Sequence, residues 1–325
     1  MSSVRRKDTS STRDTLLRTK MPKMQYTHDE VIKDMTDMNI AFASGKGGTG
    51  KTTISVNLAY LLALSKQKIQ YMDCDVEEPN GHIFLKPDIL DKTTSEIMVP
   101  LIDNVKCTRC GMCSDKCQFN ALATLPSDVL VFPELCHGCG LCVHICPEKA
   151  ISEGKREIGR IEKGIAIQDI DFVHGILNVG EPMAVPLIQE VKHQYKRDYI
   201  RIIDAPPGTS CPVVKTISDA DVVVIVTEPT PFGLHDLQIA VSVAKNLKKP
   251  IGIVINRDNG KFPLLETYLF ENKLPVLMVL PEDLEIAKHY STGNIILKTI
   301  PSYTEKFKEL AVNIEKLLDT SKGRW

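Results

Sequence analysis

From Asn39 onward the chain alternates between two hydrophobic periods. Asn39–Ser44 is a short apolar run, Lys51–Ser65 has apolar residues at helical spacing, and Lys68–Asp73 is a second strand-like run. Further β-rich runs follow at Tyr199–Ile203, Val222–Thr227, Ile251–Asn256 and Val276–Leu280, with helical patterns such as Gly233–Leu247 and Thr304–Leu318 between and after them. Near-continuously apolar strands alternating with helices predict an α/β fold, a mostly parallel sheet covered on both faces. In the last helix Phe307, Leu310, Ala311, Ile314, Leu317 and Leu318 form a stripe expected to pack on that sheet. The longest apolar stretches, such as Val222–Val226, are strand-sized. None reaches the roughly 18 residues of a membrane-spanning helix, so no membrane insertion is expected.

Two segments depart from this rhythm. Up to Thr27 there are seven Lys/Arg against Asp8 and Asp14, with many Ser and Thr, so residues 1–37 read as a basic, disordered tail. An organellar transit peptide has a similar composition. Residues 105–152 hold an internal repeat: Cys107-Thr-Arg-Cys-Gly-Met-Cys-Ser-Asp-Lys-Cys117 recurs 29 residues later as Cys136-His-Gly-Cys-Gly-Leu-Cys-Val-His-Ile-Cys146. The expected organisation is a tail, 1–37, one α/β domain formed by 38–104 and 153–325, and a small module inserted at 105–152.

Composition sharpens this. The 325 residues are 43% hydrophobic and 25% charged, with a formal net charge of -1. That excludes a wholly disordered or collagen-like chain and gives no bulk electrostatic reason for nucleic-acid binding. Ten cysteines are many, and eight lie between Cys107 and Cys146. With no apolar leader the expected compartment is cytoplasmic, where such crowding points to metal or cluster ligation rather than disulfides.

Gly45-Lys46-Gly47-Gly48-Thr49-Gly50-Lys51-Thr52-Thr53 lies between a predicted strand and helix and fits G-x-x-x-x-G-K-[ST]. Glycines let backbone N–H groups close around phosphate oxygens, and the helix N-terminus favours the anion. Lys51 is expected on the β- and γ-phosphates, and the Thr52 hydroxyl on Mg²⁺. With Lys46 immediately after the first glycine, this loop resembles the deviant Walker A of the MinD/ParA superfamily of P-loop ATPases, a likeness that covers nearly all of 38–320 outside the insertion. The resemblance implies ATP and Mg²⁺ as ligands. It also implies a dimer through the ATP site, a homodimer or a heterodimer of close paralogues, with Lys46 reaching the partner's nucleotide. Asp73-Cys-Asp75 resembles the family's switch I, Asp75 orienting the attacking water and Asp73 in support, although a turn role for one of the pair is an alternative. Arg201-Ile-Ile-Asp204-Ala-Pro-Pro-Gly208 resembles Walker B and switch II: Asp204 would hold Mg²⁺ through water and Gly208 would bring an N–H to the γ-phosphate. Asn256 and Pro281 match the base-side positions, where turn chemistry alone also favours Asn and Pro.

Each repeat of the insertion is C-x2-C-x2-C-x3-C, a spacing in which the fourth cysteine serves the other cluster of a two-cluster ferredoxin. Cys107, Cys110, Cys113 and Cys146 are therefore assigned to one [4Fe-4S] cluster, and Cys136, Cys139, Cys142 and Cys117 to a second. Zinc is the competing metal but usually takes two separated C-x2-C pairs. The module resembles bacterial ferredoxins, an α+β fold, departing at Gln118 where proline commonly follows the fourth cysteine. His137 and His144 flank ligands and read as surface or packing residues. Cys74 reads as core packing. Cys211 lies seven residues after Asp204, a spacing similar to that of a cluster-ligating cysteine in the related nitrogenase iron protein; packing is the default reading, and a bridging ligand between subunits is the alternative, although the iron protein's second ligand per subunit has no clear counterpart here.

The composite resembles MinD-superfamily ATPases containing an inserted ferredoxin domain. It implies an Mg-ATP-hydrolysing iron–sulfur protein, stimulated by a redox or metalloprotein partner, that couples a nucleotide-switched dimer to electron transfer or metallocluster handling. An iron–sulfur carrier or maturation factor, like the Mrp-type ATPases, is the first alternative. An ATP-switched positioning protein with structural clusters is the second. No basic patch coincides with a folded motif, so no nucleic-acid partner is expected.

Overall fold

The computed structural model describes residues 36–322. The expected tail, 1–37, lies outside the described residues except for its last two. Of these, Asp37 accepts a 2.7 Å hydrogen bond from Arg201, whose charge holds the Asp37 carboxyl below its usual value.

Among the described residues eleven strands form: β1 (Met38–Ala43), β2 (Ile69–Asp73), β3 (Asp88–Ile102), β4 (Leu122–Thr124), β5 (Val129–Val131), β6 (Ile151–Ala166), β7 (Ile170–Leu177), β8 (Ile200–Asp204), β9 (Val222–Thr227), β10 (Ile251–Asp258) and β11 (Val276–Pro281). Nine make one sheet in the order β11-β10-β9-β1-β8-β2-β7-β6-β3, and β4-β5 pair separately. The run from β11 to β2 is parallel, as the apolar pattern predicts, and β7 continues it with one more parallel strand. β6 and β3 add an antiparallel edge.

The period of two along each strand sorts the core into two faces. Ala41, Met72, Cys74, Val173, Ile203 and Ile253 share a buried cluster with Leu187, Val191, Val213, Leu237 and Leu265 from the helices Ala184–His193, Cys211–Ile217, Pro231–Asn246 and Pro263–Glu271. The intervening residues, among them Ile40, Phe42, Tyr71 and Phe172, are also buried. Tyr71 faces the helix Lys51–Leu64, its hydroxyl 2.8 Å from Ser55. In the closing helix Thr304–Lys322, Phe307, Leu310, Ala311, Ile314 and Leu318 are buried, whereas Leu317 is only partly so. That helix donates to the sheet edge through Asn313, 2.8 Å from the Leu277 carbonyl. Among the described residues no helix is long and apolar enough to cross a membrane.

The antiparallel edge, and β7 that pairs parallel with β2 beside it, are what the periodicity missed. β3 and β6 are rich in Lys, Glu, Asp and Thr, and many of their side chains are exposed, so neither shows the apolar run of an interior strand. β6 pairs with β7 only from Ala166↔Ile170 to Gly159↔Leu177, whereas β3 and β6 stay paired to Ile102↔Ile151. Residues 96–102 and 151–157 therefore project as a two-stranded ribbon beyond the C-terminal edge of β7. The register shifts at Ser95/Glu96, where Ile158 is the extra residue on β6. Such a bulge bends and twists a strand. Residues 103–150 hang from the ribbon's end.

Lys192 staples the second layer together. Its side chain, 8% exposed, donates to the carbonyls of Lys215 (2.8 Å) and Thr216 (2.9 Å) and pairs with Asp219. Those carbonyls end the helix Cys211–Ile217, where a cation is favoured. Lys192→Met should cost about 2 kcal/mol because it leaves buried carbonyls without a donor. Urea unfolding checks this, with an unchanged midpoint as the contrary result.

Candidate functional site

The turn after β1 is shaped by glycines that no other residue replaces. Gly48 and Gly50 have φ of 77° and 95°, in the left-handed region. A β-carbon at Gly45 would lie 2.3 Å from the Asp236 carbonyl oxygen, and one at Gly50 2.3 Å from the Asn256 amide nitrogen. The loop thus leads directly into Lys51–Leu64, whose first turn carries no acidic residue and leaves the positive end of the helix dipole for an anion. Lys51 and Thr53 are buried, Thr52 half-buried, and Gly47 and Gly48 exposed. The buried Thr49 hydroxyl has no partner.

Parallel pairing puts Asp73 at the end of β2 directly beside Asp204 at the end of β8. Asp204 Oδ2 accepts from the Thr52 hydroxyl (2.5 Å) and the Tyr71 hydroxyl (3.2 Å), while its buried Oδ1 has no partner. Asp73 accepts backbone N–H bonds from Asp75 (3.1 Å) and Gly81 (2.8 Å). It therefore does the turn work that the sequence left open for one of the pair, holding the Asp75 loop in shape. Tyr71 was not singled out by the sequence reading. Its only signal is that it sits two residues before Asp73, on the same face.

Burial pushes the Asp73 carboxyl well up, and the neighbouring Asp204 charge adds to it. Asp204 is raised by burial against the pull of Lys51 and its hydroxyl donors. Asp75 is pushed up to about 7, mainly by burial, with Lys51 opposing and Asp204 adding. Asp75 and Asp204 thus share the field of Lys51. An orphan carboxylate oxygen beside a threonine hydroxyl is the oxygen donor set a hard divalent cation takes, so the site fits Mg²⁺ held by Thr52 and Asp204.

The remaining expected contacts are engaged with protein groups in this conformation. Lys46 pairs with Glu228 at 3.5 Å, and Glu228 also binds Arg257 at 2.5 Å. Gly208 donates its N–H to the Ser44 carbonyl (3.0 Å). Asn256 donates its amide to the Thr49 carbonyl (2.8 Å). Pro281 is exposed at the end of β11, beside Asp258 of β10. Cys74 is buried in the core on the face opposite Tyr71, and burial raises its thiol pKa. Cys211 opens the short helix after Gly208 and is exposed.

The other eight cysteines lie in 103–150, where the 29-residue repeat is visible in the backbone. Positive φ recurs at Arg109 and Gly138, Gly111 and Gly140, and Asn120 and Lys149. The short helices Met112–Asp115 and Leu141–Ile145 begin at equivalent positions. Cys107, Cys110, Cys113 and Cys146 line one cavity; Cys117, Cys136, Cys139 and Cys142 line the next, with Cys113 bordering both. Backbone N–H groups point at the sulfurs: Ala121 to Cys117 and Ala150 to Cys146, both 3.3 Å and symmetry-equivalent, and Gly138 to Cys136, 3.5 Å. Among the described residues no three Cys, His, Asp or Glu side chains converge on a point that could hold one metal ion. His137 stacks on Phe119 with ring centroids 3.7 Å apart.

A family model described as the CobQ/CobB/MinD/ParA nucleotide binding domain matches residues 40–296. An uncharacterized protein of Methanocaldococcus jannaschii is 32% identical over 289 residues, 86% of this chain and 98% of that one. The iron-sulfur cluster carrier protein of the same organism is 27% identical over 229 residues, 67% of this chain and 59% of the carrier. Among solved structures, the septum site-determining protein MinD of Pyrococcus horikoshii, complexed with Mg-ADP, superposes with a TM-score of 0.53 at 20% identity, covering 86% of this chain and 96% of that one. That likeness is one of fold.

The Asp75 shift has a measurable sign. Without metal and nucleotide, its folded pKa of about 7 lies above the roughly 3.9 of an unfolded aspartate. Between those values the folded chain keeps a proton that the unfolded chain has lost, so this contribution to stability falls as pH rises through the window. Asp75→Asn should therefore melt above wild type near pH 8 in EDTA, with the gap closing toward about pH 4. A gap that does not change with pH would show that Asp75 titrates normally.

Proposed function

The chain belongs to the CobQ/CobB/MinD/ParA nucleotide-binding family of P-loop ATPases, and from that premise we propose that it is an Mg-ATP-hydrolysing iron–sulfur protein whose nucleotide-switched dimer serves electron transfer to a partner metalloprotein. The observation that carries the iron–sulfur part is the partition of eight cysteines into two complete quartets around adjacent cavities. In this reading 105–152 is an inserted two-cluster ferredoxin module and 38–104 with 153–325 the ATPase.

The quartets fit cubane clusters better than single ions. A tetrahedral zinc site with Zn–S near 2.3 Å draws its sulfurs to within roughly 3.8 Å of one another, whereas a cubane spreads its four thiolates over four irons. Four cysteines lining each cavity supply the thiolate set that the second arrangement takes. A [4Fe-4S] cluster supplies one-electron transfer at a potential set by hydrogen bonds to sulfur, net charge and exposure. The chain contributes the eight thiolates and the N–H donors of Ala121, Gly138 and Ala150.

At the other site, the loop amides and Lys51 hold the β- and γ-phosphate oxygens, and Thr52 and Asp204 hold Mg²⁺. Asp75 orients a water for in-line attack on the γ-phosphorus as the β–γ bridging bond breaks to ADP and phosphate. This is chemistry of positioning and charge neutralisation. Lys46 leaves Glu228 to reach the partner subunit's nucleotide, Gly208 leaves Ser44 for the γ-phosphate, and Asn256 leaves Thr49 for the base. Each of these groups has an intramolecular contact to exchange.

A second reading, a cluster carrier, is favoured by one observation: the exposed Cys211 at the start of the helix after Gly208, where two copies in a dimer could share a labile cluster. The similarity to an iron-sulfur cluster carrier protein accords with it.

Anaerobic analysis of the full chain should find about eight irons and eight sulfides, and Cys139→Ser should remove about half of them and one EPR signal. Zinc in their place overturns the iron–sulfur reading. Lys51→Ala should lower ATP turnover by about 100-fold with iron content unchanged. Clusters that stay bound while a partner is reduced during hydrolysis support electron transfer. Loss of iron to an apo-acceptor, abolished by Cys211→Ser, supports the carrier.

A further inference from the structure

Between the Asp75 loop and the ribbon that carries the cysteines lies one short connection, residues 177–183. Val76, next to Asp75, is buried, and its carbonyl accepts the Leu177 N–H at 2.9 Å. The next amide along, Asn178, donates at 2.9 Å to the carbonyl of Ile158, the bulge residue at which β6 leaves the sheet. Two consecutive peptide groups thus tie the nucleotide-side loop to the root of the ribbon. Packing tightens the tie: a β-carbon at Gly175 would lie 2.7 Å from the Val76 side chain, and one at Gly159 2.4 Å from the Ile176 carbonyl.

The same segment grips the ribbon itself. The Glu181 N–H closes a turn onto the Asn178 carbonyl (3.0 Å). The Glu181 carboxylate, 3% exposed, makes a two-pronged pair with Arg156 of β6, one prong at 3.2 Å, and accepts the Met183 N–H at 3.1 Å. Arg156 stands opposite Ile97 of β3. Its pKa is raised by the Glu181 bond first, with further contributions from Glu134 and Cys136, which places its charge near the second quartet. Its buried Nε has no partner. Beside it, Met98 meets that quartet directly: its carbonyl lies 3.8 Å from the Cys136 sulfur, and a β-carbon at Gly138 would lie 3.2 Å from it. A fork-shaped, nearly buried Arg–carboxylate pair has a narrow geometry, so movement of Glu181 carries Arg156 and the ribbon with it.

We propose that residues 177–183 are the joint through which the nucleotide-dependent position of the Asp75–Val76 loop sets the position of the cysteine-bearing ribbon, with Glu181 and Arg156 as positioning residues. The proposal rests on the reading of the P-loop as an Mg-ATP site. The loop is placed to move on binding, because Asp75 faces Lys51 and Asp204, and an incoming cation and γ-phosphate change the charge it meets. Coupling between two sites is reciprocal, so the state of the cysteine module also biases nucleotide affinity by the same factor.

Amide hydrogen exchange on the full, iron-loaded chain, with and without Mg-ATP, tests this, and Leu177 and Asn178 are its direct reporters. In wild type, Mg-ATP should change exchange at 177–178 and along 96–102 and 151–157. Glu181→Gln keeps an acceptor for Met183 but removes the charge. It and Arg156→Gln should cut the ribbon's nucleotide-dependent change by about fivefold, the lower end of site-to-site coupling. Arg156→Lys should restore part of the response, which a merely structural role does not predict. Mg-ATP affinity, measured separately by calorimetry, should change no more than the coupling factor itself in all three variants. Binding with an unchanged ribbon in wild type, or a response that persists in both Gln variants, overturns the proposal alone. No Mg-ATP binding by wild type overturns the functional reading and the proposal together.

Discussion

Three carboxyl groups crowd the ends of two adjacent parallel strands, two of them facing one buried lysine, and much of the architecture follows from how that is arranged. Asp73 and Asp204 end adjacent parallel strands in the same register, so the sheet forces their charges together. The chain offsets the cost locally: hydroxyls of Thr52 and Tyr71 for Asp204, backbone amides of Asp75 and Gly81 for Asp73, and the Lys51 charge for Asp75 and Asp204. The offset is incomplete. Asp204 keeps an unpartnered oxygen, and all three carboxyls are shifted upward. A cluster left short of positive charge is poised for a divalent cation and changes its electrostatics most when one arrives.

That same edge of the sheet carries everything else of chemical interest. Ligands in open parallel sheets bind at the carboxyl ends of the strands, and the ribbon of β3 and β6 projects past that end rather than the opposite one. The bulge at Ile158 bends it where it departs, and the 177–183 segment holds it at its root. The cysteine module and the P-loop are thus two sites on one rim, joined through residues that belong to neither.

The motifs were legible because each is local. The P-loop, the two aspartate-ended strands and the 29-residue cysteine repeat lie in short stretches, and the interior strands other than β7, which Asp171 and His174 interrupt, announce themselves by continuous apolar runs. The four cysteines that the ferredoxin spacing assigns to each quartet line a common cavity, with Cys113 bordering both cavities. What spacing could not reveal was the long antiparallel edge. The strands β3 and β6 are charged and half-exposed, and their strand character comes from pairing with each other. Nor could it reveal which groups occupy the P-loop contacts: Glu228 on Lys46, Ser44 on Gly208 and Thr49 on Asn256.

The sequence by itself determined the α/β class, the family and the identity of the phosphate-binding loop, because those are carried by backbone conformations and hydrophobic periods that neighbouring residues impose on one another. Tertiary structure decided the rest. The meeting of Asp73 with Asp204, the bond from Tyr71 to Asp204, and the chain of contacts from Val76 through Asn178 and Glu181 to Arg156 all join residues far apart in the chain. Their meeting depends on strand register, and register is set by the packing of the whole sheet rather than by any one strand.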